Sequence, residues 1–148
     1  MHANEKNKAR ENIFEFCSST DFIERNKRKV VIVRANCPYT TPYGKDDLAM
    51  LNSITSYIDA ILIPKVSEQQ HIERLFTENL VNKAVPIWAM IETAKGIINV
   101  NQIASSPLIE ALVFGSNDLT KDIKALHTAY RYVHLLLLYY SKNYNTYF

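Results

Sequence analysis

Glycine is scarce, three residues in 148, and no apolar run ends in a glycine-rich turn. A dinucleotide-binding or P-loop phosphate cradle needs such turns, so both readings are weak. Cysteine is nearly absent too. Cys17 and Cys37 have neither metal-ligand nor redox-motif spacing and are expected to be reduced thiols in a cytoplasmic protein. Charge of one sign is also missing: 17 basic residues face 15 acidic ones, a net charge of +2. The one basic cluster, Arg25, Lys27, Arg28 and Lys29, precedes an apolar run and reads as a solvated turn, not a nucleic-acid footprint. Long hydrophobic stretches are lacking. Val133 to Tyr140 is far shorter than the roughly 20 residues that span a membrane. The opening MHANEKNKAR is polar, so no secretory signal is expected. A soluble protein of about one domain, with no nucleic-acid or membrane partner, is expected.

Four short apolar runs carry the fold signal: Lys29–Arg34, Asp59–Pro64, Val85–Ile91 and Ile109–Phe114. Each is β-branched-rich and apolar on both alternations, the pattern of a strand buried on both faces in a parallel sheet. Helical punctuation fills the intervals. Asp46-Asp47 opens a stripe of Leu48, Leu51, Thr55 and Ile58. Ser67-Glu-Gln-Gln70 has capping-box form ahead of Ile72, Leu75 and Phe76. Ile97, Val100, Ile103 and Ala104 form a further stripe, and Ala9, Ile13, Phe14 and Cys17 or Phe16 mark an opening helix. The order is α-β-α-β-α-β-α-β-α at a βαβ period. From about Tyr130 the grammar changes. Six of the nine tyrosines fall there, and residues 129–148, outside a domain over 1–128, are expected to form an atypical tail: a terminal helix that frays into an unpacked end, or a segment never selected as part of this fold.

Parallel α/β proteins place chemistry where strands end. After the four runs come Arg34, Lys65, Glu92 with Thr93, and Gly115-Ser116-Asn117-Asp118. Each has a plain structural reading: Arg34 and Lys65 as rim cations, Glu92 as a cap for the helix at Thr93, Asp118 as an N-cap. Four in register suggest more. Two carboxylates from adjacent strands suit a hard cation, which typically takes one or two protein carboxylates plus substrate oxygens and water. An arginine's planar fork suits a carboxylate. His71 lies within a helical pattern and reads as a surface residue.

The same residues carry a family likeness. Val33-Arg-Ala-Asn36, Thr41-Pro-Tyr-Gly-Lys-Asp-Asp-Leu48, Ile63-Pro-Lys-Val66, Met90-Ile-Glu-Thr-Ala-Lys-Gly96 and Phe114-Gly-Ser-Asn-Asp-Leu119 follow one another. In that order the chain, from about Glu5 to Leu126, resembles the citrate lyase β-subunit-like proteins of the HpcH/HpaI aldolase/citrate lyase family. The resemblance implies an α/β fold, a partial TIM (β/α)8 barrel of about four parallel strands matching family strands 3–6. It implies Mg2+ held by Glu92 and Asp118, and Arg34 on the carboxylate of a 2-oxo acid. It also implies backbone amides of the Gly115–Asp118 turn, Asn117 among them, lying against that acid; Lys65 is a weaker candidate, by its location alone. The implied reaction is carbon–carbon cleavage of a 3-hydroxy acyl thioester, on CoA or an acyl carrier protein, to an acyl thioester and a 2-oxo acid.

A complete barrel typically takes about 250 residues. Only four strands are present, and the acidic motif the family places at its second strand is missing. The chain is therefore expected to be truncated, with two open sheet edges that pairing with another copy would close. The alternative is a catalytically silent remnant or interaction protein of the same fold.

Overall fold

The computed structural model describes residues 3–25, 29–124 and 130–144; Lys27 and Arg28 of the basic cluster, and the expected domain boundary at 128, lie outside them. In chain order the elements are α1 (Ala3–Ser18), α2 (Thr20–Arg25), β1 (Ile32–Arg34), α3 (Gly44–Ser53), β2 (Ala60–Ile63) and α4 (Gln69–Thr77). There follow β3 (Ile87–Ile91), α5 (Ala94–Ile98), α6 (Val100–Ala104), β4 (Ala111–Phe114), α7 (Ser116–Ile123) and α8 (Tyr130–Asn143). All four expected strands form, trimmed at their N-terminal ends. They pair in parallel in the order β1-β2-β3-β4. This is the expected four-stranded part of a (β/α) barrel, each strand returning through helical segments, as parallel pairing requires.

Register fixes which side chains share a face. Arg34, Leu62, Trp88 and Ala111 are successive partners across the sheet. The opposite parity holds Ile61, Ile63, Ile87, Ala89, Ile91 and Leu112, all fully buried. These residues join Leu48, Leu51, Ile72, Leu75, Val100 and Ile103 of the helices in one core. Leu62, Trp88, Met90 and Val113, on the other parity, are only half-buried. The expectation of strands buried on both faces thus holds for one face. The second face is the one a barrel turns toward its interior, and among the described residues no strand lies opposite it.

One local expectation needs correction. The Ser67–Gln70 capping box does not form: Glu68 occupies the N-cap of α4 without a side-chain cap bond. Its carboxylate instead takes the ammonium of Lys95. The expected terminal helix forms as α8, and over 133–141 one side of it is packed. Leu137 and Ser141 are buried, Val133, Leu136 and Tyr140 pack against the core, and α8 docks on β4 and α6. Val133, Leu136, Leu137 and Tyr140 recur at three- and four-residue steps, one helical stripe hidden in a run that is apolar almost all round.

Candidate functional site at the strand C-termini

Glu92 is the first residue past β3, and its parity points it to the half-covered face. It is 3% exposed, and its Oε1 accepts the backbone N–H of Lys65 at 3.0 Å. That amide is aimed by a left-handed turn: Lys65 has φ 57°, a conformation that disfavours side chains bearing a Cβ. Burial pushes the Glu92 carboxyl above its ordinary range. The positive charge of Arg34 opposes that shift, the negative charge of Asp118 adds to it, and the Lys65 amide and ammonium oppose it. Arg34, Asp118 and Lys65, from three other segments, therefore all act on one carboxylate.

Glycine is required at 115 by close approach. A Cβ there would stand 2.4 Å from the Cβ of Glu92 and 2.7 Å from its Oε2. Gly115 ends β4 by donating its N–H to the carbonyl of Ile91 at 3.0 Å, so this amide, expected against an acid, is spent in the ladder. The amides of Asn117 and Asp118 stand in the first turn of α7, where N–H groups lack intrahelical partners. Asp118 is not an N-cap; Gly115 holds that place. Its Oδ1 lies 3.2 Å from the Lys121 ammonium, a pair exposed enough to exchange readily for another cation. Asn117 is exposed, and no hydrogen bond among the described residues joins it to Glu92. Arg34, the last residue of β1, is exposed as well.

The helices hold this cluster in place. Thr93 caps α5 by accepting the Gly96 N–H at 3.0 Å, so Glu92 is relieved of the capping role its position suggested. One turn beyond Asp118, Asp122 accepts the Ala94 N–H at 2.7 Å. That bond ties the last turn of α7 to the start of α5, just past the end of β3.

Among the described residues no three His, Cys, Asp or Glu side chains gather as a metal cage. Two carboxylates, one of them buried and its carboxyl raised by that burial, have the hard-oxygen donor chemistry of a divalent ion that draws its other ligands from substrate and water. His71, expected on the surface, is half-buried: its ring lies 5.5 Å from that of Tyr39, and its Nδ1 is buried with no hydrogen-bond partner among the described residues. Sequence reading also missed Asp47, Arg10 and Asn36, which meet only through the fold.

The profile of the HpcH/HpaI aldolase/citrate lyase family matches residues 1–135. A (3S)-malyl-CoA thioesterase of Cereibacter sphaeroides is 41% identical over 96 residues, 65% of this chain and 32% of the relative. The malyl-CoA/β-methylmalyl-CoA/citramalyl-CoA lyase of Chloroflexus aurantiacus is 30% identical over 123 residues, 77% of this chain and 34% of the relative. The chain thus spans about a third of the length of these relatives. In three dimensions it is similar to CitE of Mycobacterium tuberculosis in complex with magnesium and acetoacetate. The TM-score is 0.74 at 20% identity, over 99% of this chain and 57% of the other.

Proposed function

The chain belongs to the HpcH/HpaI aldolase/citrate lyase family, and from that premise we propose that it carries the acid-binding rim of a magnesium-dependent carbon–carbon lyase. The substrate is a 3-hydroxy acyl thioester of the malyl or citryl type, on CoA or an acyl carrier protein. The products are an acyl thioester and a 2-oxo acid. The observation that supports this best is the buried Glu92 carboxylate on which the charges of Arg34 and Asp118 converge.

Cleavage sends the bonding electrons to the thioester enolate while the hydroxyl loses its proton and its carbon becomes the carbonyl of the 2-oxo acid; a proton returned to the enolate carbon completes the acyl thioester. Magnesium, when bound, polarises that carbonyl oxygen. Glu92 and Asp118 would hold the ion. Arg34 would grip the carboxylate of the departing acid through its planar fork. First-turn amides of α7, at Asn117 and Asp118, would face the same acid as fixed donors that orient it. Lys65 contributes its backbone N–H to Glu92 and a positive charge nearby; its ammonium is the weaker candidate for contact with substrate.

The 41% identity to a thioesterase favours a second reading: hydrolysis of the thioester at the same rim. Product analysis with a malyl thioester separates the two. Cleavage yields an acyl thioester and a 2-oxo acid, whereas hydrolysis yields free thiol and malate. A catalytically silent chain yields neither.

The test of the site itself is thermal unfolding with a panel of 2-oxo acids, with magnesium and with chelator. A ligand at a hundred times its Kd adds about 2.7 kcal/mol to the native state. Oxaloacetate or glyoxylate is expected to raise Tm only with magnesium, and Asp118→Ala is expected to abolish the rise. A panel without any magnesium-dependent shift would overturn the reading.

A further inference from the structure

Beside the rim, a cavity of about 170 Å3 is lined by residues of α1, β1 and α3, among them Lys6, Arg10, Arg34, Asn36 and Asp47. Asp47 is a charged side chain only 8% exposed, and both of its oxygens are engaged. Oδ1 takes the Arg10 guanidinium at 2.8 Å. Oδ2 accepts the Asn36 backbone N–H at 3.0 Å and the Asn36 side-chain amide at 2.5 Å. Its neighbour Asp46, by contrast, is largely exposed and sits 3.6 Å from Arg10. Both acids lie in the first turn of α3, where either would suit the helix dipole, but only Asp47 faces inward.

The consequence falls on β1, which has three residues and, among the described residues, pairs on one side only. Its terminal residue is Arg34. Beyond it, Ala35 N–H reaches the Leu62 carbonyl at 3.1 Å, and the next tie is Asn36 to Asp47. A short edge strand held at one flank frays unless its end is pinned. We propose that Asp47 is a positioning residue for Arg34: paired with the Arg10 guanidinium on one oxygen and accepting both Asn36 amides on the other, it clamps the end of β1 and sets where the guanidinium of Arg34 stands. The inference rests on reading Arg34 as the acid clamp, but the clamp on β1 is measurable without any ligand.

Two measurements test it. By amide hydrogen exchange, Asp47→Ala is expected to speed exchange at Asn36 about tenfold or more, the loss of a charge-assisted hydrogen bond. Backbone order parameters at Arg34 to Asn36 should fall, while amides of Trp88 to Ile91 keep their protection. Asp46→Ala should change neither. The second measurement is calorimetric binding of oxaloacetate with magnesium to wild type, Asp47→Asn, Arg34→Ala and the double variant. Asp47→Asn keeps an acceptor for Asn36 while losing the charge that Arg10 pairs, so it guards against an unfolded alanine variant. It should weaken oxaloacetate about tenfold, leave binding of magnesium alone unchanged, and add little once Arg34 is gone. Unchanged exchange at Asn36, or effects that simply add in the double variant, would overturn the role of Asp47. Wild type failing to bind oxaloacetate at all would instead remove the proposed function, and the exchange result would still decide the clamp.

Discussion

Glu92 and Gly115 form a pair at the residue scale, because the carboxylate fills the space a Cβ at 115 would need. Gly115→Ala must therefore displace Glu92 or shift β4, an overpacking change that typically costs 1 to 3 kcal/mol. The expected outcome is a lower Tm together with loss of magnesium-dependent oxaloacetate binding; an alanine variant that binds as wild type would show the displaced carboxylate to be irrelevant. His71 gives a pH signature of its own. Burial holds its pKa below the ordinary 6.5, with Lys95 and Arg74 in the same direction and Glu68 opposed. The unfolded chain then binds more protons than the native one below pH 6.5, so stability falls as pH drops from about 6.5 through the depressed value. Denaturant unfolding at pH 7.5 and 5.5 should show that loss in wild type and a smaller one in His71→Gln. Equal losses would remove His71 from the account.

At the scale of elements, α8 is where composition misleads. A leucine- and tyrosine-rich run with polar residues between offers several equivalent stripes, and which one is buried depends on the surface it meets. The ring of His134 meets Phe114 edge-on at 4.9 Å, and Leu137 is wholly buried. If the helix is part of the fold, Leu137→Ala opens a core cavity and should cost roughly 2 to 5 kcal/mol. A change below 0.5 kcal/mol in denaturant unfolding would mean that α8 leaves the sheet in solution. The strands and α3 to α6 were easier to read, because their apolar residues recur at one period against a polar background: Leu48 and Leu51 in α3, Ile72 and Leu75 in α4. The failed capping box at Ser67 has an equally local cause. Glu68 finds a stronger partner in Lys95, 27 residues along the chain.

For the whole molecule, the relevant fact is a parallel sheet whose two outer strands, β1 and β4, have no further strand beside them among the described residues. Its barrel-side face carries half-buried Leu62, Trp88, Met90 and Val113. Unpaired edges and an uncovered apolar face favour association. Light scattering of the purified chain is expected to give a mass above the 17.0 kDa of one copy. A monodisperse monomer across a hundredfold range of concentration would show that the face is tolerated as it stands. No helix among the described residues is long and apolar enough to cross a membrane.

The order of strands and helices, the parallel pairing and the rim positions of Arg34, Lys65, Glu92 and Asp118 were set by the sequence itself, because periodicity and the residue after each apolar run are local properties. The convergence of charge on Glu92, the need for glycine at 115, the inward turn of Asp47 and the burial of α8 were decided by tertiary structure. Each depends on groups at least 11 residues apart in the chain, and no local pattern records which distant atoms a side chain will meet.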